Sequence, residues 1–168
     1  MNKFLNLIIS TILLSGCVTG YHSKNISGGW KEKKLDSNQY QVIYSGNALI
    51  DYLKNRNFAL LRGAELCVDD NKNWMKIVDE RTDIRRITKV PTEIETTPGS
   101  MPFSWMSKEK QQEVIDKNTT ISDFPKTTVI IECSDVQQDN YFMKSKELAY
   151  EVGKMYNLEK IKEKYKDF

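Results

Sequence analysis

Apolar and polar residues change rhythm several times along this chain, and each change predicts an element. Residues 4–14 are predominantly apolar after a single early charge at Lys3. In the stretch QYQVIYS, Tyr40, Val42 and Tyr44 alternate with Gln41, Ile43 and Ser45, the period of a half-buried strand. With GGWKEKKL before it and Asp36-Ser37-Asn38 between, this predicts a β-hairpin. From Ala48 to about Asp70 the period lengthens to that of a helix. Leu49, Leu53, Leu60, Ala64 and Cys67 form one stripe, with Tyr52, Ala59 and Gly63 beside it. Asp51, Lys54, Asn55, Arg62 and Glu65 fall toward the other side, and Asn47 is the expected N-cap. Small residues at Ala59, Gly63 and Ala64 let such a helix sit close on a sheet.

Further on, NWMKIVDE predicts a strand that DIRRITKV continues or answers. The segment from Pro91 to Pro102, with its Pro98-Gly99 turn signal, is expected as a loop, and Ser107 to Asn118 as a short surface helix. TTVIIEC is the clearest strand, with Val129, Ile131 and Cys133 on one face. A final helix is predicted from about Lys144, carrying Leu148, Val152, Met155, Leu158, Ile161 and Tyr165, packed on the sheet or on the first helix. The fold class expected is therefore α+β: one small domain, an antiparallel sheet opening with a hairpin, one helix packed on it, further strands and a C-terminal helix.

The apolar start is too short to span a bilayer, which takes about 20 apolar residues as a helix. A positive beginning, a short apolar middle and small residues at its end describe a secretory signal peptide over residues 1–16. Its last residues, Leu14-Ser15-Gly16-Cys17, resemble the lipobox of bacterial lipoproteins. That resemblance implies a diacylglycerol on the Cys17 thiol, cleavage before Cys17 and acylation of the new amine. A single fatty chain holds a protein only marginally, at about 0.8 kcal/mol per buried methylene, whereas three chains make release negligible. Val18 in place of Asp resembles the sorting signal for an outer-membrane destination. Residues 17–27 are then expected as the lipidated cysteine and a flexible tether, and 28–168 as the periplasmic domain.

Composition narrows the function classes. The chain has 25 basic and 23 acidic side chains, and the signal carries one lysine, so the mature balance is 24 against 23, a net of +1. Nothing in that balance calls for nucleic acid as a partner. Cys67 and Cys133 remain after export to an oxidising compartment, and an even pair there argues for a disulfide. Such a bridge stabilises by roughly 4 kcal/mol in the chain-entropy model. Two buried free thiols are the alternative reading.

Candidate chemistry is sparse. The one histidine, His22, falls in the expected tether, so no Ser-His-Asp or Cys-His constellation arises, and no zinc-ligand spacing or phosphate-binding loop is present. No cofactor is implied. Asp69-Asp70 and Asp79-Glu80 are adjacent carboxylates, which point apart on a regular element. Arg62 and Glu65 stand three apart on the predicted helix, either as an ion pair worth a few tenths of a kcal/mol or as a recognition pair for a partner. Trp30 and Trp105, in turn-like sequence, are candidates for an interface or for capping the local core.

Several stretches together resemble a family of small bacterial envelope lipoproteins: GGWKEKKLDSNQYQVIYSGN, ALLRGAELCVDDN, WMKIVDER and TTPGSMP. The shared pattern is a Gly-Gly-aromatic hairpin, a Gly-Asn turn, a helix with an L-L-R-x-A-E-L core and a Thr-Pro-Gly loop. Gly46, Asn47, Arg62, Ala64 and Glu65 match it residue by residue, while the Trp105–Pro125 segment and the cysteines depart from it. The resemblance implies an envelope lipoprotein with an α+β fold and supplies no catalytic residues. The expected role is non-catalytic: an accessory or structural component of an envelope assembly, held to the membrane through Cys17 and working with an envelope protein partner. The alternatives are a small-ligand or glycan-binding module using the sheet face and the Pro98 loop, and a hydrolase with carboxylate chemistry.

Overall fold

The structure, a computed structural model, describes residues 20–90 and 101–167. The expected signal peptide, Cys17 and Val18, and the Pro98 turn lie outside the described residues.

The alternation read at Tyr40, Val42 and Tyr44 is that of a strand whose inner face is fully covered. Strand β1 (Gly29–Lys34) pairs antiparallel with β2 (Gln39–Ser45), Trp30 opposite Tyr44 and Lys34 opposite Tyr40. The turn is closed by the Asp36 carboxylate, which accepts from the Ser37 N–H at 2.7 Å, and by the Leu35 N–H donating to the Gln39 carbonyl at 2.8 Å. Tyr40, Val42 and Tyr44 are buried.

WMKIVDE and DIRRITK form one long strand, β3 (Trp74–Lys89), which pairs along its length with β4 (Thr120–Ser134). The register slips once, between Ile77 and Asp79, so Val78 bulges out and the strand twists there. With the short β5 (Met143–Lys144), the five-stranded antiparallel sheet has the order β1-β2-β4-β3-β5. Helix α1 (Tyr52–Asp69) lies across one face, and α2 (Lys108–Asn118) follows a 3-10 turn at Phe103–Trp105. The single α+β domain opening with a hairpin is as expected.

Helix α1 begins later than its periodicity suggests. Asp51 is the N-cap: its carboxylate accepts from the Lys54 N–H at 2.8 Å. Asn47 instead organises a turn ahead of the helix, accepting from the Leu49 N–H at 2.9 Å, with the Ile50 N–H donating to its carbonyl. That turn puts Ile50 in the core and leaves Leu49 outside, so the expected stripe is inward only from Leu60 onward. Phe58 and Asn55 take the inward places in the first half of the helix. An Asp51→Ala variant should lose about 1 kcal/mol of stability, read as a lower urea midpoint at unchanged slope.

Gly63 lets α1 approach the sheet closely, since a Cβ there would stand 3.2 Å from the Met75 sulfur and 3.3 Å from Ile131. Beneath it, Cys67 of α1 and Cys133 of β4 sit at disulfide-bonding distance, with Cα atoms 5.3 Å apart. The two inward-facing sides inferred from sequence do meet.

The predicted C-terminal helix is two helices, α3 (Ser145–Met155) and α4 (Glu159–Tyr165). The break is a Schellman cap. Asn157 takes a left-handed φ of 52°, and the Leu158 N–H donates to the Gly153 carbonyl at 2.8 Å. Helix α1 ends the same way, with Asn71 at φ 61° and the Lys72 N–H on the Cys67 carbonyl. After the break α4 turns back so that Ile161 packs against Gly153, where a Cβ would meet it at 2.8 Å. The pair rests on α1, the Phe58 and Tyr156 rings meeting edge-on at 5.2 Å, and Met155 of the expected stripe is left exposed.

The expected tether over 17–27 is corrected for its described part. From Gly20 the chain is docked: the Gly20 carbonyl accepts from the Tyr44 hydroxyl, and the His22 carbonyl from the Trp30 N–H at 3.0 Å. A tether composition is polar, but one aromatic residue, Tyr21, is enough to seat the segment on the hairpin.

Candidate functional site

Two regions concentrate side chains beyond those needed for an ordinary core. The first forms where the N-terminal segment crosses α1. Hairpin strand β1 supplies Trp30 and Glu32, and the third and fourth turns of α1 supply Arg62 and Glu65. Arg62 reaches Glu65 with Nη1 at 3.2 Å and grips Glu32 with Nε at 3.2 Å and Nη2 at 3.0 Å. Its guanidinium also lies 5.5 Å from the centre of the Trp30 ring. Tyr21 stacks on Trp30, ring centres 4.3 Å apart, and donates its hydroxyl to Glu65.

The electrostatics follow from that packing. Burial alone disfavours the Arg62 charge, but Glu32 and Glu65 outweigh it and hold the guanidinium more firmly protonated than usual. Burial first, then the Glu65 carboxylate, raise the Tyr21 phenol well above its ordinary range. The Arg62, Glu32 and Glu65 charges and the Tyr21 hydroxyl are thus answered by one another within the chain. Arg62 and Glu65 form the ion pair anticipated from their spacing, and their capacity is spent on Glu32 and Tyr21. Trp30 is half-buried beneath Tyr21 and Arg62, as a cap on the local core. The junction is a clasp.

Removing the Tyr21 hydroxyl with Tyr21→Phe should cost about 2 kcal/mol, the value of a hydrogen bond to a charged acceptor. The pH dependence has a definite sign. A tyrosine whose folded pKa lies above its unfolded value of about 10 contributes fully below that pH and loses its contribution as pH rises further. Wild-type stability should therefore fall above about pH 10, and Tyr21→Phe should fall less steeply; denaturant midpoints across that range check it.

The adjacent carboxylates point apart, as expected. Asp70 accepts from the Tyr40 hydroxyl and from Lys34 at 3.1 Å, and these two contacts, Tyr40 foremost, lower its pKa. Asp69 turns instead toward Lys164 at 3.6 Å. Glu80 is held by Arg56 Nη2 at 2.8 Å. Among the described residues no three His, Cys, Asp or Glu side chains gather as metal ligands do.

The second region is the far end of the long β3–β4 pair. Strand β2 accompanies β4 only as far as Lys126, so beyond it Ile84–Lys89 and Thr120–Pro125 run on as a two-stranded ribbon. Arg86 and Asp123 clamp it with two contacts of 2.8 Å. At its root the Gly46 N–H donates to the Pro125 carbonyl, which brings the turn before α1 alongside. Ile84 stands opposite Pro125 in the register. Here the apolar residues face outward: Leu49, Tyr52 and Leu53 are 70%, 53% and 51% exposed, and Ile84 is 51% exposed. Ile121, near the ribbon's end, is exposed too, and Trp105 on its 3-10 turn is 77% exposed. Of the two tryptophans singled out in the sequence, Trp105 alone is free for an interface.

Sequence reasoning placed Leu49, Tyr52 and Leu53 on the inward side of the helix. Their apolar character was legible, but not their exposure, no layer of the described residues covering them. Tyr21 was missed for lack of any periodic context. Asn55 was placed outward yet is fully buried, donating to the Thr127 hydroxyl at 2.9 Å and the Tyr44 carbonyl at 3.2 Å. Its spacing to Phe58 was the available signal.

Compared with known protein families, with curated proteins and with solved structures, the chain shows no match.

Proposed function

We propose that this chain is a lipid-anchored envelope lipoprotein that acts without catalysis, as an accessory or structural component of an envelope assembly. The observation that carries this reading is the outward apolar group at the root of the β3–β4 ribbon, Leu49, Tyr52, Leu53 and Ile84. Exposed apolar groups that gather at one place on a fold, rimmed by polar residues, are a mark of interaction sites, protein–protein contacts among them. Two features of the chain supply the address: the lipobox-like Leu14–Cys17, and the Cys67–Cys133 pair at bonding distance, which suits an oxidising compartment. The resemblance to small bacterial envelope lipoproteins agrees with the first, while the cysteine pair is a departure from that pattern. On this reading Cys17 carries the lipid, the outer membrane is the destination, and the partner is a protein of the same envelope.

A photo-crosslinking residue at Leu53 of the full-length chain, activated in cells, tests the assembly role. One dominant envelope protein should be captured, and capture should disappear in an Ile84→Glu background that keeps the wild-type melting curve. Capture of abundant bystanders alone, unchanged by Ile84→Glu, would overturn the assembly role. Anchoring is tested separately: Cys17→Ala should abolish membrane fractionation of the mature protein.

A further inference from the structure

We propose that the loop Lys24–Gly28 and the basic sheet face beside it form a seat for an anionic phospholipid surface, with Ile26 entering the headgroup layer. The choice of a membrane as occupant rests on the lipid-anchor reading above; the seat itself is built from described residues.

The loop is a fixed display. The Asn25 N–H donates to the Gly28 carbonyl at 2.8 Å, and the Asn25 side chain accepts from the Ser27 N–H at 2.8 Å. Gly28 and Gly29 take φ of 123° and 107°, which only glycine adopts readily, and the Lys24 N–H is tied to the Trp30 carbonyl at 2.7 Å. At the tip of this tight turn Ile26 is fully exposed. An isoleucine held out on a braced loop, with no core to join, is suited to partition into an apolar phase.

Around it the chemistry is cationic. The recess beside Ile26 is lined by Lys24, Arg85 and Lys126, together with Phe124. None of the three bases has an ion pair among the described residues; Arg85 stacks on Phe124 at 5.2 Å. The acid that shares the recess, Asp83, is taken by Arg81 at 2.7 Å. By register, Lys126 and Arg85 stand on the sheet face opposite α1, and Lys31 and Lys33 of β1 share that face, with no ion pair to either among the described residues. On the helix side, by contrast, Lys34, Arg56 and Arg62 are all matched to carboxylates. Free ammonium and guanidinium groups around an exposed aliphatic side chain are complementary to lipid phosphates around acyl chains.

Covalent reach selects the membrane over other anionic partners. The described fold begins at Gly20, three residues after Cys17, and three residues span at most about 11 Å. A lipidated Cys17 therefore keeps Gly20 within about 11 Å of its anchor, and the Lys24–Gly28 loop begins only four residues further on, so a basic face beside that loop lies near lipid phosphates. The loop itself carries Ile26.

The test adds the full chain to vesicles of phosphatidylcholine alone, or of phosphatidylcholine with phosphatidylglycerol, and follows hydrogen exchange of the loop amides by mass spectrometry. Amides of Lys24–Gly28 should exchange at least about fivefold more slowly on the anionic vesicles, the factor one lysine–surface contact supplies. Lys24→Glu with Lys126→Glu, and separately Ile26→Ser, should each erase that difference while exchange in α1 stays unchanged. Equal exchange of the loop on both vesicles, or protection that survives both variants, overturns the seat. The mass of the Cys17 peptide in the same digest reports the anchor independently, so an unmodified Cys17 refutes the lipid reading without deciding the seat.

Discussion

Reduction of the Cys67–Cys133 bridge is expected to lower the stability of the domain by about 4 kcal/mol. The two cysteines are 66 residues apart, so the bridge closes a long loop that runs from the end of α1 through β3 and α2 to the end of β4, and removes much of the freedom the unfolded chain would otherwise have. Because the stability of a domain of this size is only about 5–15 kcal/mol, a loss of that order is a large fraction of the total. Comparing denaturant curves of the oxidised and fully reduced protein isolates the crosslink, since the sequence is unchanged. The reduced form should also show a larger slope, its unfolded state being more expanded. Coincident curves would mean that the cysteines fold as free buried thiols.

Phe58→Ala should be as damaging, at about 3–5 kcal/mol. Phe58 is buried, and its ring meets three others: Tyr21 at 5.5 Å, Tyr44 at 5.3 Å and Tyr156 at 5.2 Å, all edge-on. Those three belong to the N-terminal segment, the sheet and the end of α3. One side chain therefore joins every layer of the domain, and the cavity left by its removal borders all of them. Phe58→Leu, which keeps most of the volume, should cost far less. Urea midpoints of the two variants measure this, and a Phe58→Ala loss below about 1 kcal/mol would show that the surrounding rings close over the gap.

Some of this architecture could be read from the sequence and some could not, for reasons visible in individual residues. Alternation gave the hairpin because both neighbours of each buried residue in β2 are polar or partly exposed. The inward sides of Cys67 and Cys133 followed from two independent periodicities. The same method failed at Leu49 and Leu53, because a periodic pattern records which residues are apolar and not whether another layer covers them. It also ran through the α3–α4 break. There Asn157 was the available signal, since Asn tolerates the left-handed conformation that ends a helix, and Asn71 does the same for α1. Glu65 was read as part of an outward pair and is buried. Its burial is tolerated because Arg62 and Tyr21 both reach it, one from its own helix and one from a segment whose docking no local pattern announces. The candidate partner surface was therefore the least legible part, being defined by what is missing above it.

The sheet described above is open. Strand β5 covers β3 only at Trp74 and Met75, which leaves the outer backbone of β3 from Ile77 to Lys89 without a neighbouring strand among the described residues. Strand β1, at the other border, meets among the described residues only the bridge from Ser23 to Trp30. Such borders invite a second copy to add its own strands, and end in fibrils when nothing opposes it. Here β1 reads Lys31-Glu32-Lys33-Lys34, and β3 carries Val78 as a bulge followed by Asp79, Glu80, Arg81 and Asp83. Alternating charge and a local twist make each border a poor template for itself. The domain can therefore be crowded at high density without its sheets fusing edge to edge.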